Sequence, residues 1–340
     1  MSNVDNSQFN DWVKENVPGS YIPCGEESGN ELHKEKALYA YPPTSGGWKK
    51  FEGNPVVGNE LTGTCFEPFM FPDNDGLRMY FSWRARKSLA VTVSQDGINW
   101  GPLRIILEPK EESGWEDDLN RSTVVRVGTT YHMWYTGQAR GHSSIGYATS
   151  SDGYNFEREN NGMPVLISER YWENRTVMCP HVIWDDKNKV FRMWYSGGET
   201  YEPNDIGYAT SSDGINWEKH PANPIFTPNP KNKYEKERVA ACQVMPVDDG
   251  YLMFYVGFED IDTARICVAK SPDGITRWKR SKYNPIIAPG EGEWDGHACY
   301  KPSVVYDRGS NKWSLYYNGR YFAPEYIGMA TLEGTDLGFD

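Results

Sequence analysis

The chain has 340 residues, a net charge of −12 and 14% aromatic residues. That acidity argues against nucleic acid or an anionic membrane surface as a partner, and no apolar run reaches the roughly 18 residues of a membrane span. Its six cysteines (Cys24, Cys65, Cys179, Cys242, Cys267, Cys299) lack CxxC spacing and its six histidines lack paired metal spacing, so free thiols and no structural zinc site are expected.

Residues 1–40 stand outside the pattern that fills the remainder. They are polar, with a short helix expected over residues 6–16, and read as an extension packed on the flank of a main domain spanning 41–340. The first residues, MSNVDNSQFNDW, have neither the basic start nor the apolar core of a secretory signal. A cytoplasmic protein is therefore expected, with periplasm or exterior the alternative if a signal has been removed.

From residue 48 onward the chain repeats. The phrases SQDGINW (94–100), SSDGYNF (150–156), SSDGINW (211–217) and SPDGITRW (271–278) place Asp96, Asp152, Asp213 and Asp273 at intervals of 56, 61 and 60 residues. Such a period marks one supersecondary unit copied and stacked. Before each turn lies an aromatic strand: RMYFSW (78–83), HMWYTG (132–137), RMWYSG (192–197) and LMFYVG (252–257), with a fifth, SLYYNG, at 314–319. Apolar segments precede these strands, and IGYAT (145–149, 206–210) or IGMAT (327–331) follows. The composition is that of short strands. In the turn, Asp can bond backbone N–H groups two residues on while Gly takes the positive φ of a tight reversal. The Trp or Phe that follows is expected to cover the gap between neighbouring sheets.

Four-stranded units stacked radially make a β-propeller, and five aromatic strands imply five blades. The last copy lacks a fourth strand, but an unpartnered one stands near the start. Trp48 with Asn54-Pro55 repeats the spacing of Trp217 with Asn223-Pro224 and of Trp278 with Asn284-Pro285. The predicted fold is all-β, a five-bladed propeller closed by an N-terminal strand that completes the last blade and removes the open sheet edges.

In a propeller the first strand of each blade lines the central channel. The segments that open those strands hold the candidate carboxylates Glu67, Asp118, Glu173, Glu237 and Asp295. The same segments hold the candidate substrate contacts Arg121, Arg175, His181, Arg238, Gln243, His297 and Lys301. Arg121, Arg175 and Arg238, on three adjacent blades, could converge on an anion, since Arg grips carboxylate or phosphate through a planar fork. Alternatively each pairs with an acidic neighbour (Asp117, Asp118, Glu173 or Glu237).

The repeated A-x-S-x-D-G-x-x-W turn and the acid-Pro pair Glu67-Pro68 resemble the five-bladed glycoside hydrolase superfamily, families 43, 32, 68, 117 and 130, over roughly residues 48–331. Families 43 and 32 carry Asp at the position of Glu67, as general base or nucleophile; Glu adds a methylene and keeps the carboxylate. The resemblance implies glycosidic bond cleavage by two carboxyl groups, with Glu67 the charged partner and the acid one of Asp118, Glu173, Glu237 or Asp295. The charge of Glu67 is expected to serve chemistry more than packing. A carbohydrate is the expected substrate, acidic if the arginines converge. The alternatives are a phosphorylase using inorganic phosphate and a non-catalytic sugar-binding propeller. No cofactor is predicted; Ca²⁺ in the channel is the ion that the fold resemblance brings up, and nothing in the sequence places it.

Overall fold

A computed structural model describes residues 38–340 except 200, 201, 323 and 340. The chain divides into Met1–Leu38 and Tyr39–Asp340, and the second unit is described here. The helix expected over residues 6–16, and the packing of the N-terminal extension, lie outside the described residues.

Among the described residues twenty strands form five blades of four, blades 2 and 3 being joined by one parallel pairing of Thr176 with Ser143. The first strand, β1 (Lys49–Lys50), belongs to the last blade. Blade 1 is β2 (Cys65–Asp73), β3 (Gly76–Trp83), β4 (Ser88–Ser94) and β5 (Arg104–Leu107). Blade 2 is β6 (Asp118–Val127), β7 (Thr130–Ala139), β8 (His142–Ser150) and β9 (Glu157–Arg158). Blade 3 is β10 (Thr176–Asp185), β11 (Val190–Gly198), β12 (Asp205–Ser211) and β13 (Glu218–Lys219). Blade 4 is β14 (Arg238–Val247), β15 (Gly250–Phe258), β16 (Ala264–Ser271) and β17 (Lys279–Arg280). Blade 5 is β18 (Ala298–Asp307), β19 (Lys312–Arg320), β20 (Glu325–Glu333) and β1, which pairs antiparallel with β20. The N-terminal strand thus completes the last blade, and Met70 N–H donates to the Ser303 hydroxyl across the seam between blades 5 and 1 at 2.9 Å.

The repeated turn has one geometry in four blades. Asp96 Oδ1 accepts from the N–H groups of Ile98 and Asn99, and Gly97 takes φ +75°; Asp152, Asp213 and Asp273 repeat this. The turn of one blade also caps the aromatic strand of the preceding one. Tyr80, Trp134, Trp194 and Tyr316 each donate to the carbonyl of the next blade's turn glycine. Trp217 packs edge-on against Trp134, and Trp100 against Tyr316. Buried aromatics therefore serve as the inter-blade core, where each adds edge-to-face attraction to its burial.

The Asn-Pro pairs have a structural task as well. Asn54, Asn223 and Asn284 each use their amide oxygen and nitrogen to bond both backbone groups of one residue on the third strand: Met329, Tyr208 and Val268 respectively. A side-chain amide there continues the ladder where the fourth strand has bent away.

Candidate functional site

Each of the five inner strands is interrupted at one place by a bulge, between Phe66/Phe69, Asn120/Thr123, Met178/His181, Ala240/Gln243 and Tyr300/Ser303. The residue at each bulge is left-handed although none is glycine: Glu67, Arg121, Cys179, Ala241 and Lys301, with φ from +48° to +59°. A left-handed L-residue costs about 1 kcal/mol or more, and five in register signal a device that the fold sustains. Bulges re-aim side chains; here all five bulge residues line one cavity on the propeller axis, of about 40 Å³. The bulge N–H groups are held by the neighbouring blade's second strand. Glu67 donates to Asn318 Oδ1, Arg121 to Ser82, Cys179 to Thr136 and Ala241 to Ser196.

Glu67 is 4% exposed, and its carboxylate is the centre of this ring. Arg121 Nε bonds Oε1, Lys301 Nζ lies 3.6 Å from the same oxygen, and the Ser82 hydroxyl donates to Oε2 at 2.9 Å. Burial pulls the carboxyl upward, but Arg121 and Lys301 outweigh it and hold Glu67 below the usual carboxylate range. It is therefore charged at neutral pH.

Two of the predicted carboxylates are not at the mouth. Glu173 and Asp295 are fully buried inside their blades and belong to a repeated structural unit with Glu116 and Glu235. In each, a tyrosine of the second strand donates to the carboxylate (Tyr135–Glu116, Tyr195–Glu173, Tyr255–Glu235, Tyr317–Asp295). A cation from the fourth strand pairs with it: Arg158, Lys219, Arg280 and Lys50 respectively. The aromatic residue before the acid needs glycine opposite; a Cβ at Gly137 would come within 2.4 Å of Trp115, and one at Gly197 within 2.6 Å of Trp172. The aromatic-acid pairs therefore tie fourth strand to first, and Glu173 and Asp295, expected at the mouth, are buried with structural partners. Glu173→Gln is expected to leave buried Lys219 with only the longer contact to exposed Glu169 (3.5 Å) and its bond to the Ile167 carbonyl, costing up to about 3–5 kcal/mol. Thermal melts should fall while turnover per folded molecule stays near wild type; unaltered melting with lost turnover would return Glu173 to the chemistry.

The remaining predicted residues divide by position. Asp118 is half-buried at the mouth, 3.5 Å from Arg84, with Oδ1 buried and unpartnered. Burial raises its carboxyl, Arg84 opposes this, and the charge of Glu67 raises it further. Glu237 and Arg175 are exposed at the rim. Arg238 is bound to Glu199 (2.9 Å) and to the carbonyl of Glu202 (2.6 Å). His181 is 5% exposed, bonds the Val244 carbonyl at 2.7 Å, and is pushed down to about 4 by burial, so it is neutral. The Gln243 amide is spent on the backbone of Val304 in blade 5. His297 packs against the exposed rings of Tyr321 and Phe322 at the rim (4.8 and 4.5 Å between centroids). The arginines lie at different sequence distances from their bulges and have separate protein partners: Arg121 pairs with Glu67, Arg238 with Glu199, and Arg175 is exposed.

Two carboxylates were missed because they lie off the inner strands. Glu325 opens β20 and accepts from Asn318 Nδ2 at 2.5 Å. Burial raises it, Arg84 opposes, and Glu67 adds to the rise. Glu202, in the loop between β11 and β12, has a buried Oε2 without a partner, as do Asn120 Oδ1, Ser122 Oγ, Arg238 Nε and Arg320 Nε. Buried polar atoms are normally satisfied, and Ser122 among these lines the axial cavity. Among the described residues no group of three His, Cys, Asp or Glu is placed to hold a metal ion. A Ca²⁺ on the axis does not fit a ring in which Glu67 already faces two cations.

The fold and this mouth define a five-bladed propeller of the glycoside hydrolase and phosphorylase type. Residues 78–222 match the glycosyl hydrolases family 32 N-terminal domain. The uncharacterised protein Rv1502 of Mycobacterium tuberculosis is 30% identical over 282 residues, covering 77% of this chain and 89% of that one. A 1,2-β-oligomannan phosphorylase of Thermoanaerobacter is 26% identical, covering 69% and 96%. A solved structure described under the GH130 family of mannoside phosphorylases, containing glycoside hydrolases that target β-1,2 mannosidic linkages in Candida mannan, has a TM-score of 0.67. It is 17% identical and covers 88% of this chain and 99% of that one. The chain belongs to the same family as the mycobacterial protein, and its fold is that of the five-bladed propellers of glycoside hydrolases.

Proposed function

We propose that the protein hydrolyses a glycosidic bond of a neutral sugar, with Glu67 as the charged carboxylate and Asp118 as the acid. One observation carries this reading. At a single mouth, one carboxyl is held down by Arg121 and Lys301 while another is pushed up by burial and by the first one's charge. Paired carboxyls driven apart in this way are the acid and base pattern of glycoside cleavage.

Neutral substrate follows from the fate of the cations. Arg121 and Lys301 are committed to Glu67, Arg84 faces Asp118, and Arg238 is bound to Glu199. A phosphate dianion or acidic sugar would be left with the exposed Arg175 and with Arg320, whose Nε is unpartnered, and would meet Glu67, Asp118, Glu202 and Glu325. The orphaned carboxyl and amide oxygens suit the donating hydroxyls of a sugar, and the rings of Tyr321 and Phe322 offer a face for the sugar beyond the scissile bond.

Phosphorolysis is the competing reaction, since the Thermoanaerobacter relatives are phosphorylases for β-1,2-mannosides. β-1,2-Mannobiose and longer β-1,2-oligomannans are the first substrates to offer, each with and without inorganic phosphate. The expected result is mannose released at a rate independent of phosphate. Mannose 1-phosphate formed only when phosphate is present would overturn hydrolysis; sugar bound and left intact would overturn catalysis.

A further inference from the structure

The axial ring contains a sulfur that the proposed chemistry does not use. Cys179 Sγ accepts from Arg121 Nη1 at 2.8 Å and lies 3.5 Å from Lys301 Nζ. The same two cations contact Glu67. Four groups thus alternate around the channel: carboxylate, guanidinium, sulfur, ammonium. Glu67 occupies the anionic corner, and Cys179 sits in the equivalent cationic field opposite it. Ser122, 6% exposed, lines the same cavity with a hydroxyl that has no partner among the described residues. The cavity is therefore polar-walled and incompletely bonded beside the sulfur.

We propose that Cys179 is a modification site, a cation-flanked thiol on the channel floor that captures small disulfides and thiosulfonates. Reactive cysteines sit in electropositive surroundings, and here two cations contact the sulfur. In the step, Cys179 Sγ forms a bond to one reagent sulfur as the reagent's S–S bond breaks. The departing thiolate or sulfinate carries the electron pair, and the thiol's proton passes to solvent. The Cys179 sulfur is oxidised and the leaving sulfur reduced, so no other oxidant enters. A cavity of about 40 Å³ has room for a methylthio group and little more.

The molecule supplies its own comparison. Cys242 lines the same cavity and is slightly more exposed, 7% against 5%. Among the described residues no cation contacts its sulfur, and burial pushes its thiol up. Exposure alone would make Cys242 the faster of the two; the cations reverse the order.

The test is brief treatment of the folded full-length protein with methyl methanethiosulfonate, an acid quench and peptide mass mapping. It needs no substrate, so its outcome is separate from that of the catalytic assignment. Cys179 is expected to carry the methylthio group at least about tenfold faster than Cys242, and Lys301→Met to slow Cys179 while leaving Cys242 unchanged. Dithiothreitol should restore the unmodified mass. Labelling of Cys242 as fast as Cys179 in the wild type would overturn the proposal whatever the variant does. So would a folded Lys301→Met protein in which Cys179 reacts at the wild-type rate.

Discussion

Glu67→Gln is expected to abolish most turnover and to lower stability together. The amide keeps the shape of the side chain and its bond with Ser82 but removes the one carboxylate among the described residues that pairs with both Arg121 and Lys301. Their side chains are 12% and 9% exposed, so two cations would be left desolvated without their partner. Breaking a buried pair from one side costs about 3–5 kcal/mol, enough to lower the melting temperature by several degrees. Loss of a general base or nucleophile removes about 10²–10⁴-fold in rate or more. The sequence suggested a charge serving chemistry more than packing, but the buried pairs with Arg121 and Lys301 tie it to stability as well. The pH dependence has a definite sign. The folded carboxyl lies below its unfolded value, so its stabilisation is fully present above the ordinary Glu range. It is lost as pH falls through the folded value. Wild type and variant should therefore differ in melting temperature at neutral pH and converge in strong acid. Turnover measured well below both melting temperatures separates the two effects, and a variant that keeps wild-type turnover there would remove Glu67 from the mechanism.

What the sequence disclosed and what it hid have one cause. Architecture repeats, so the turns around Asp96, Asp152, Asp213 and Asp273, the aromatic strands and the closing strand after Trp48 could be read by comparing copies. The same comparison served less well at the candidate site. Trp115-Glu116, Trp172-Glu173, Tyr234-Glu235 and Trp294-Asp295 recur because every such blade needs its first strand tied to its fourth. Their recurrence was a mark of structure, although dense charge at one mouth suggested chemistry. The candidate site lies where the copies disagree: the bulge position reads Glu67, Arg121, Cys179, Ala241 and Lys301, five different residues in one backbone conformation. Nothing local in the sequence announces a left-handed bulge at a non-glycine residue. Glu202 and Glu325 were hidden for another reason. They lie on or beside the connections between second and third strands, where blade lengths differ and alignment of copies gives no register.

Asp118→Asn should strip the reaction of its acid and alter its pH profile in a predictable direction. A sugar leaving group needs a proton as the bond breaks, whereas a nitrophenolate does not. The variant is therefore expected to lose about 10²–10⁴-fold on an oligosaccharide and far less on the nitrophenyl glycoside of the same sugar. Wild-type activity requires Glu67 charged and Asp118 protonated. Glu67 is held below the ordinary range and sets the acid limb; Asp118 is pushed above it and sets the alkaline limb. The profile should be a bell, with Asp118→Asn flattening its alkaline side. Arg84 supplies a second arm. Its guanidinium, 3.5 Å from Asp118, favours the charged carboxylate, so Arg84→Ala should move the alkaline limb to higher pH without moving it in the Asp118→Asn background. Equal losses on both substrates, or an alkaline limb that survives Asp118→Asn, would shift the acid to Glu325. That is the other carboxyl at the mouth raised by burial and by Glu67, and Glu325→Gln would then have to reproduce the loss confined to the sugar leaving group.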